Sequence, residues 1–148
     1  MLIMRLPLLA LVALLFQTAS SAADQAATID FAQKAAVRAL GYTHGDRATL
    51  LDARDDFTPE GWRAFMKRMD GFLDAAGAPD HSSSFTPSGA AAVKSLTNGV
   101  MRLAIPGTLK QWRTTSAAGT TYRVTVEVQV GGTPPKIQLL EPVIELKR

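Results

Sequence analysis

The chain contains no cysteine. That absence removes disulfide staples, thiolate metal sites, a cysteine nucleophile and the lipid-modified cysteine of an exported lipoprotein. Histidine is nearly as scarce, with His44 and His81 the only two. Both fall in stretches predicted as loops, with no Asp or Glu at helical spacing from either, so they do not build a zinc site. Charge of one sign is also lacking. Sixteen Lys and Arg stand against thirteen Asp and Glu, a net +3, and the signs alternate instead of clustering, which speaks against direct nucleic-acid binding. No glycine-rich phosphate loop is present: Gly131-Gly132 leads into Thr133-Pro134-Pro135, not into a helix. The apolar run Leu6–Phe16 is well short of the ~20 residues a membrane-spanning helix needs.

What is present fits one exported domain. The 148 residues are 47% hydrophobic and 20% charged, ordinary values for a globular fold. The first residues carry Arg5 and no acid; the apolar stretch follows, then Gln17, Thr18 and small residues from Ala19 to Ala23. This pattern predicts a secretory signal peptide over residues 1–22, cut after Ala22 or Ala23, with a mature domain over 23–148. An uncleaved anchor in the inner membrane is the alternative. A cysteine-free exported chain points to the periplasm of a bacterial envelope more than to a disulfide-rich secreted module.

Helices are predicted first. Ile29, Ala32, Ala36 and Leu40 share one helical face, while Asp30, Lys34 and Arg38 form a polar stripe. Gly41 suits the helix end, and Asp46 can cap a short second helix reaching about Asp56. The clearest start signal is Thr58-Pro59-Glu60: a cap, a proline at the first helical position and an acid against the positive helix end. Trp62, Phe65, Met66, Met69 and Leu73 then recur at three- and four-residue steps, predicting an amphipathic helix laid across a sheet. Residues 77–89, with their glycines, prolines and Ser82-Ser83-Ser84, read as a loop.

Thereafter the period becomes two. Tyr122, Val124, Val126, Val128 and Val130 alternate with polar residues, the mark of a half-buried antiparallel strand. Ile137–Leu146 reads as a last strand with an edge or bulge near Pro142. Val100–Ile105 and Leu109–Thr114 read as two earlier strands split by Pro106-Gly107. Leu109 and Trp112 are an odd number apart and cannot share a strand face, so either a bulge intervenes or Trp112 is exposed. Helices followed by an antiparallel sheet predict an α+β fold with a helical layer on one face of a curved sheet.

No set of residues composes a convincing active site. Ser82–Ser84 beside His81 satisfy a nucleophile by composition only. Asp55 or Asp56 could act as a general base in a cavity, but they also simply end a helix. Arg63, Lys67 and Arg68 are offset by Asp70 and Asp74 on the same helix. Trp112 beside Arg113 has the composition of an interaction hot spot.

The stretch Asp55-Asp56-Phe57-Thr58-Pro59-Glu60-Gly61-Trp62-Arg63-Ala64-Phe65, after a small-residue helix and the Gly41-Tyr42-Thr43 turn, resembles the IcmL/DotI family of type IVB secretion and conjugation components. The periplasmic domain of that family is similar to the eighth component of the VirB transfer apparatus, a nuclear-transport-factor-like or cystatin-like cone. The resemblance implies a non-enzymatic periplasmic subunit without cofactors, whose partners are other envelope subunits, with further copies of itself as another candidate. It makes Phe57, Thr58, Pro59, Gly61 and Trp62 fold-setting. Trp112, Arg113 and Arg63 are the residues expected at contacts. Family members carry a cytoplasmic tail and a true membrane anchor, whereas this chain begins with a signal-like segment, so membrane association is expected to be peripheral or absent after cleavage. The alternative is a cone-shaped protein that binds or transforms a small apolar ligand in a cavity lined by Trp62, Phe65, Met66, Tyr122 and Val124, with Asp56 as base.

Overall fold

A computed structural model describes residues 8–43, 47–75, 81–113 and 119–145, without the side chains of 8–21, 47, 49 and 70–75. His44, Asp46 and Leu146 lie outside these residues, and the predicted leader is represented only by helix backbone from Leu8 onward.

The chain folds as α1 (Leu8–Leu40), α2 (Arg47–Asp52) with a 3-10 turn (Ala53–Asp56), α3 (Pro59–Ala75), and then β1 (His81–Pro87), β2 (Ala92–Thr97), β3 (Val100–Arg113), β4 (Gly119–Gly131) and β5 (Lys136–Ile144). All strand pairings in the sheet are antiparallel, in the order β1-β3-β4-β5, with β2 also paired to β3. Helices on one face of an antiparallel sheet are the expected α+β arrangement.

The inner face follows from strand parity. Met101, Leu103, Ile105 and Leu109 of β3 lie opposite Val130, Val128, Val126 and Tyr122 of β4, and Leu140 of β5 lies opposite Val128. All of these but the half-buried Tyr122 are buried. α1 brings a face of Ala32, Ala35, Ala36, Ala39 and Leu40 to this core. Short side chains let a helix backbone approach its neighbour closely. On its wet side Asp30 and Lys34 pair at 2.8 Å, as their spacing predicts.

Two sequence expectations are corrected. Residues 81–87, expected within a loop, form β1. Its composition is poor for a strand, but its partners fix it. Tyr42 N–H donates to the Ser83 carbonyl at 2.9 Å, and Ser83 N–H to the Tyr42 carbonyl at 2.7 Å. The Ser83 hydroxyl donates to the Leu40 carbonyl at 2.7 Å, so a polar side chain on the core side is satisfied by the end of α1. Phe85 lies over Gly107, where a Cβ would come within 2.4 Å of the ring.

β3, expected as two strands, is one. Ser88 N–H donates to the Pro106 carbonyl, so Pro106 faces the β1–β2 edge. A strand residue sends its N–H and C=O to the same side. The donor that proline lacks therefore points into the gap where β1 has ended at Gly107 and β2 starts only at Ala104, and the β4 ladder loses nothing.

β2 escaped the sequence reading altogether. Its signal was Asn98-Gly99, both with positive φ (53° and 73°), the pair favoured by a two-residue hairpin turn between Thr97 and Val100.

Candidate functional site

The residues Phe57 to Trp62 form the joint between the helices and the far edge of the sheet. Phe57 makes a parallel bridge with Ile137. Thr58 N–H donates to the Ile137 carbonyl at 2.9 Å. The Thr58 hydroxyl accepts from Gly61 N–H at 3.0 Å, the capping bond predicted from sequence. Gly61 is forced by the close approach: a Cβ there would lie 2.6 Å from the Ile137 carbonyl oxygen and 3.0 Å from that of Gln138. The rings of Phe57, Trp62 and Phe65 pack with centroids 5.2–5.7 Å apart. Lys136 Nζ also donates to the Asp55 carbonyl.

Asp56 is not placed as a base. Its carboxylate pairs with Arg38 Nε of α1 at 2.8 Å and is 15% exposed, so it ties the 3-10 turn to the first helix. Among the described residues, no group of three or more His, Asp or Glu gathers as a metal site.

The three residues expected at contacts do not converge. Register between β3 and β4 runs unbroken from Val100 to Trp112, so no bulge intervenes. Trp112 therefore lies on the outer sheet face, opposite to Leu109, and is half-buried, not fully exposed. Lys110 Nζ sits 5.8 Å from its ring centroid, within cation–π range. Arg113 is exposed at the end of the strand, on the other face. Arg63 is on α3, which packs on β5, and it faces Glu60 at 3.7 Å with 77% of its side chain exposed.

A cavity lies between α3 and the sheet, with most of its walls other than those expected. A cleft of about 210 Å³ lies between the C-terminal half of α3 and the ends of β3 and β5. Of the residues predicted to line it, only Phe65 does; its other walls include Leu40, Met69, Leu109, Leu140 and Ile144. Val124 is fully buried, and Trp62, Met66 and Tyr122 pack against the core. Arg68 and Glu141, paired at 2.9 Å, stand at its rim. A second hollow, about 330 Å³, lies at the opposite end of the sheet among Asp24, Gln25 and Thr28 of α1 and the glycine turns at Gly99 and Gly131-Gly132.

Helices packed on one face of an antiparallel sheet are an α+β fold shared with solved domains of type IV secretion components. An IcmL-like type IV secretion system protein from Legionella pneumophila superposes with a TM-score of 0.69 at 10% identity, over 83% of this chain and 94% of that one. The periplasmic domain of DotI gives 0.64 at 20% identity, over 82% and 95%. CagV from Helicobacter pylori, a VirB8 homologue, gives 0.63 at 15% identity, over 81% and 99%. No family model and no curated protein sequence matches the chain. The similarity is one of fold. Among the described residues, no helix is long and apolar enough to cross a membrane.

Proposed function

We propose that the chain is a non-enzymatic periplasmic subunit of a type IVB-type secretion or conjugative transfer apparatus, acting through protein–protein contacts. The observation that carries this reading is the fold match, which takes in nearly the whole of three secretion-system domains. The Phe57–Trp62 corner supports it, because the residues that made the sequence resemble IcmL/DotI are those that join helix to sheet. The leader over 1–22 would deliver the domain to the periplasm, with no cofactor and no direct contact to nucleic acid. Its partners are other envelope subunits, and further copies of itself are candidates. Trp112 and Arg113 at the end of β3, and Arg63 on α3, are the contact residues, on separate surfaces that would engage separate neighbours.

Affinity purification of the tagged full-length protein from its own host, after mild cross-linking, tests this. Inner- and outer-membrane channel subunits are expected among the captured proteins, and Trp112→Ala should reduce recovery of at least one of them. Capture of unrelated periplasmic proteins alone would overturn the proposal.

A further inference from the structure

The cleft at the C-terminal half of α3 has walls that suit an apolar group and a rim that restricts what that group is attached to. Its floor is core: Leu40, Phe65, Leu109 and Leu140 are each at most 5% exposed. The hydroxyl of Ser83, also in the wall, is committed to the Leu40 carbonyl, so it is not available as a donor to a guest. The volume, about 210 Å³, exceeds the roughly 150 Å³ of an apolar cavity known to admit benzene. A phenyl ring or a branched alkyl group fits.

Among the described residues, the rim carries one cation and one anion, Arg68 and Glu141, each close to half exposed, and the primary amide of Gln111. A carboxylate approaching Arg68 meets Glu141, and an ammonium approaching Glu141 meets Arg68, so a guest with a single charge is opposed either way. A neutral group with both a donor and an acceptor is matched: the guanidinium has donors beyond the one it gives Glu141, and the carboxylate has further acceptor sites. The peptide group is such a group.

We infer that the cleft receives an apolar side chain, aromatic or branched, from an uncharged peptide segment of a neighbouring subunit, with the flanking peptide groups meeting Arg68, Glu141 and Gln111. This rests on the proposed role as an apparatus subunit and adds a further contact surface, built on the inner sheet face and α3, on the opposite sheet face from Trp112.

Two measurements on the full chain test it. In methyl NMR titrations, N-acetyl-phenylalanine methylamide or the leucine analogue should shift the methyl signals of Leu109, Leu140 and Ile144 saturably. Octanoate and octylammonium should bind more weakly. Met69→Trp fills the cleft without emptying the core, and should weaken the blocked amino acids about tenfold or more while Lys94→Ala, at an exposed position of β2, leaves them unchanged. Absence of saturable shifts, or tighter binding of either charged amphiphile, overturns the inference. In cells, a photo-cross-linking residue in place of Met69 should form an adduct with another subunit of the apparatus. An adduct with a second copy of the chain or with lipid, or none, overturns it. If Met69→Trp still recovers every partner of the wild type, the cleft inference fails and the apparatus reading stands. If the blocked amino acids bind but the wild type recovers no apparatus subunit, the apparatus reading fails and the cleft remains a peptide site.

Discussion

The two ends of α3 are held in opposite ways. At its start the helix is fastened to β5 by backbone: Thr58 donates to Ile137, and Gly61 comes so near the same carbonyl that a methyl group would not fit. Six residues past Pro59, Phe65 still reaches the core, but beyond it Arg68 and Met69 line an open cleft. One end is set by close packing, which tolerates no change of volume. The other half, among its described residues, meets the sheet through side chains such as Met69 and a half-exposed ion pair, Arg68 with Glu141. The same helix thus provides a rigid joint and a surface with room for a guest.

The sharpest way to break this contrast is to empty the joint. Phe57→Ala removes a ring that is 5% exposed and touches both Trp62 and Phe65, and should cost about 3–5 kcal/mol in urea unfolding of the full chain. Overfilling comes next. Gly61→Ala should lose about 1–3 kcal/mol, because the new Cβ meets fixed backbone; an unchanged unfolding midpoint would mean that α3 is not seated on Ile137. Thr58→Ala deletes the cap of α3 and should cost about 1 kcal/mol, with Thr58→Ser retaining most of it. At the open end the effect should be smallest. Met69 is only partly buried and faces the cleft, so Met69→Ala should change stability by less than about 1 kcal/mol. A loss as large as that of Phe57→Ala would show the two ends to be equally packed.

Much of the joint was legible in the linear chain because its chemistry is local. A cap, a proline and an aromatic repeat act within a few residues, so Thr58, Pro59 and the Trp62–Phe65–Met69 stripe announced α3 and its buried face. The alternation from Tyr122 to Val130 announced β4 for the same reason, and the odd spacing of Leu109 and Trp112 placed them on opposite faces. β1 was not legible. Its serines become strand only because Tyr42, Leu40 and β3 supply hydrogen bonds from far along the chain. Pro106 read as a break because the sequence does not reveal that β3 changes partner at that point.

Alone, the sequence determined the elements with strong local signals, the order of helices before sheet, the absence of thiol chemistry and the corner motif that resembles secretion-system domains. Tertiary structure decided what depends on distant partners. It bound Asp56 to Arg38, separated Arg63 from Trp112, and lined the cleft between α3 and the sheet with Leu40, Met69, Leu109 and Leu140 in place of most of the expected walls. Caps and periodicities are short-range properties of a chain. A cleft is the space left between elements that meet only after folding, and its position follows from how closely each helix can approach the sheet.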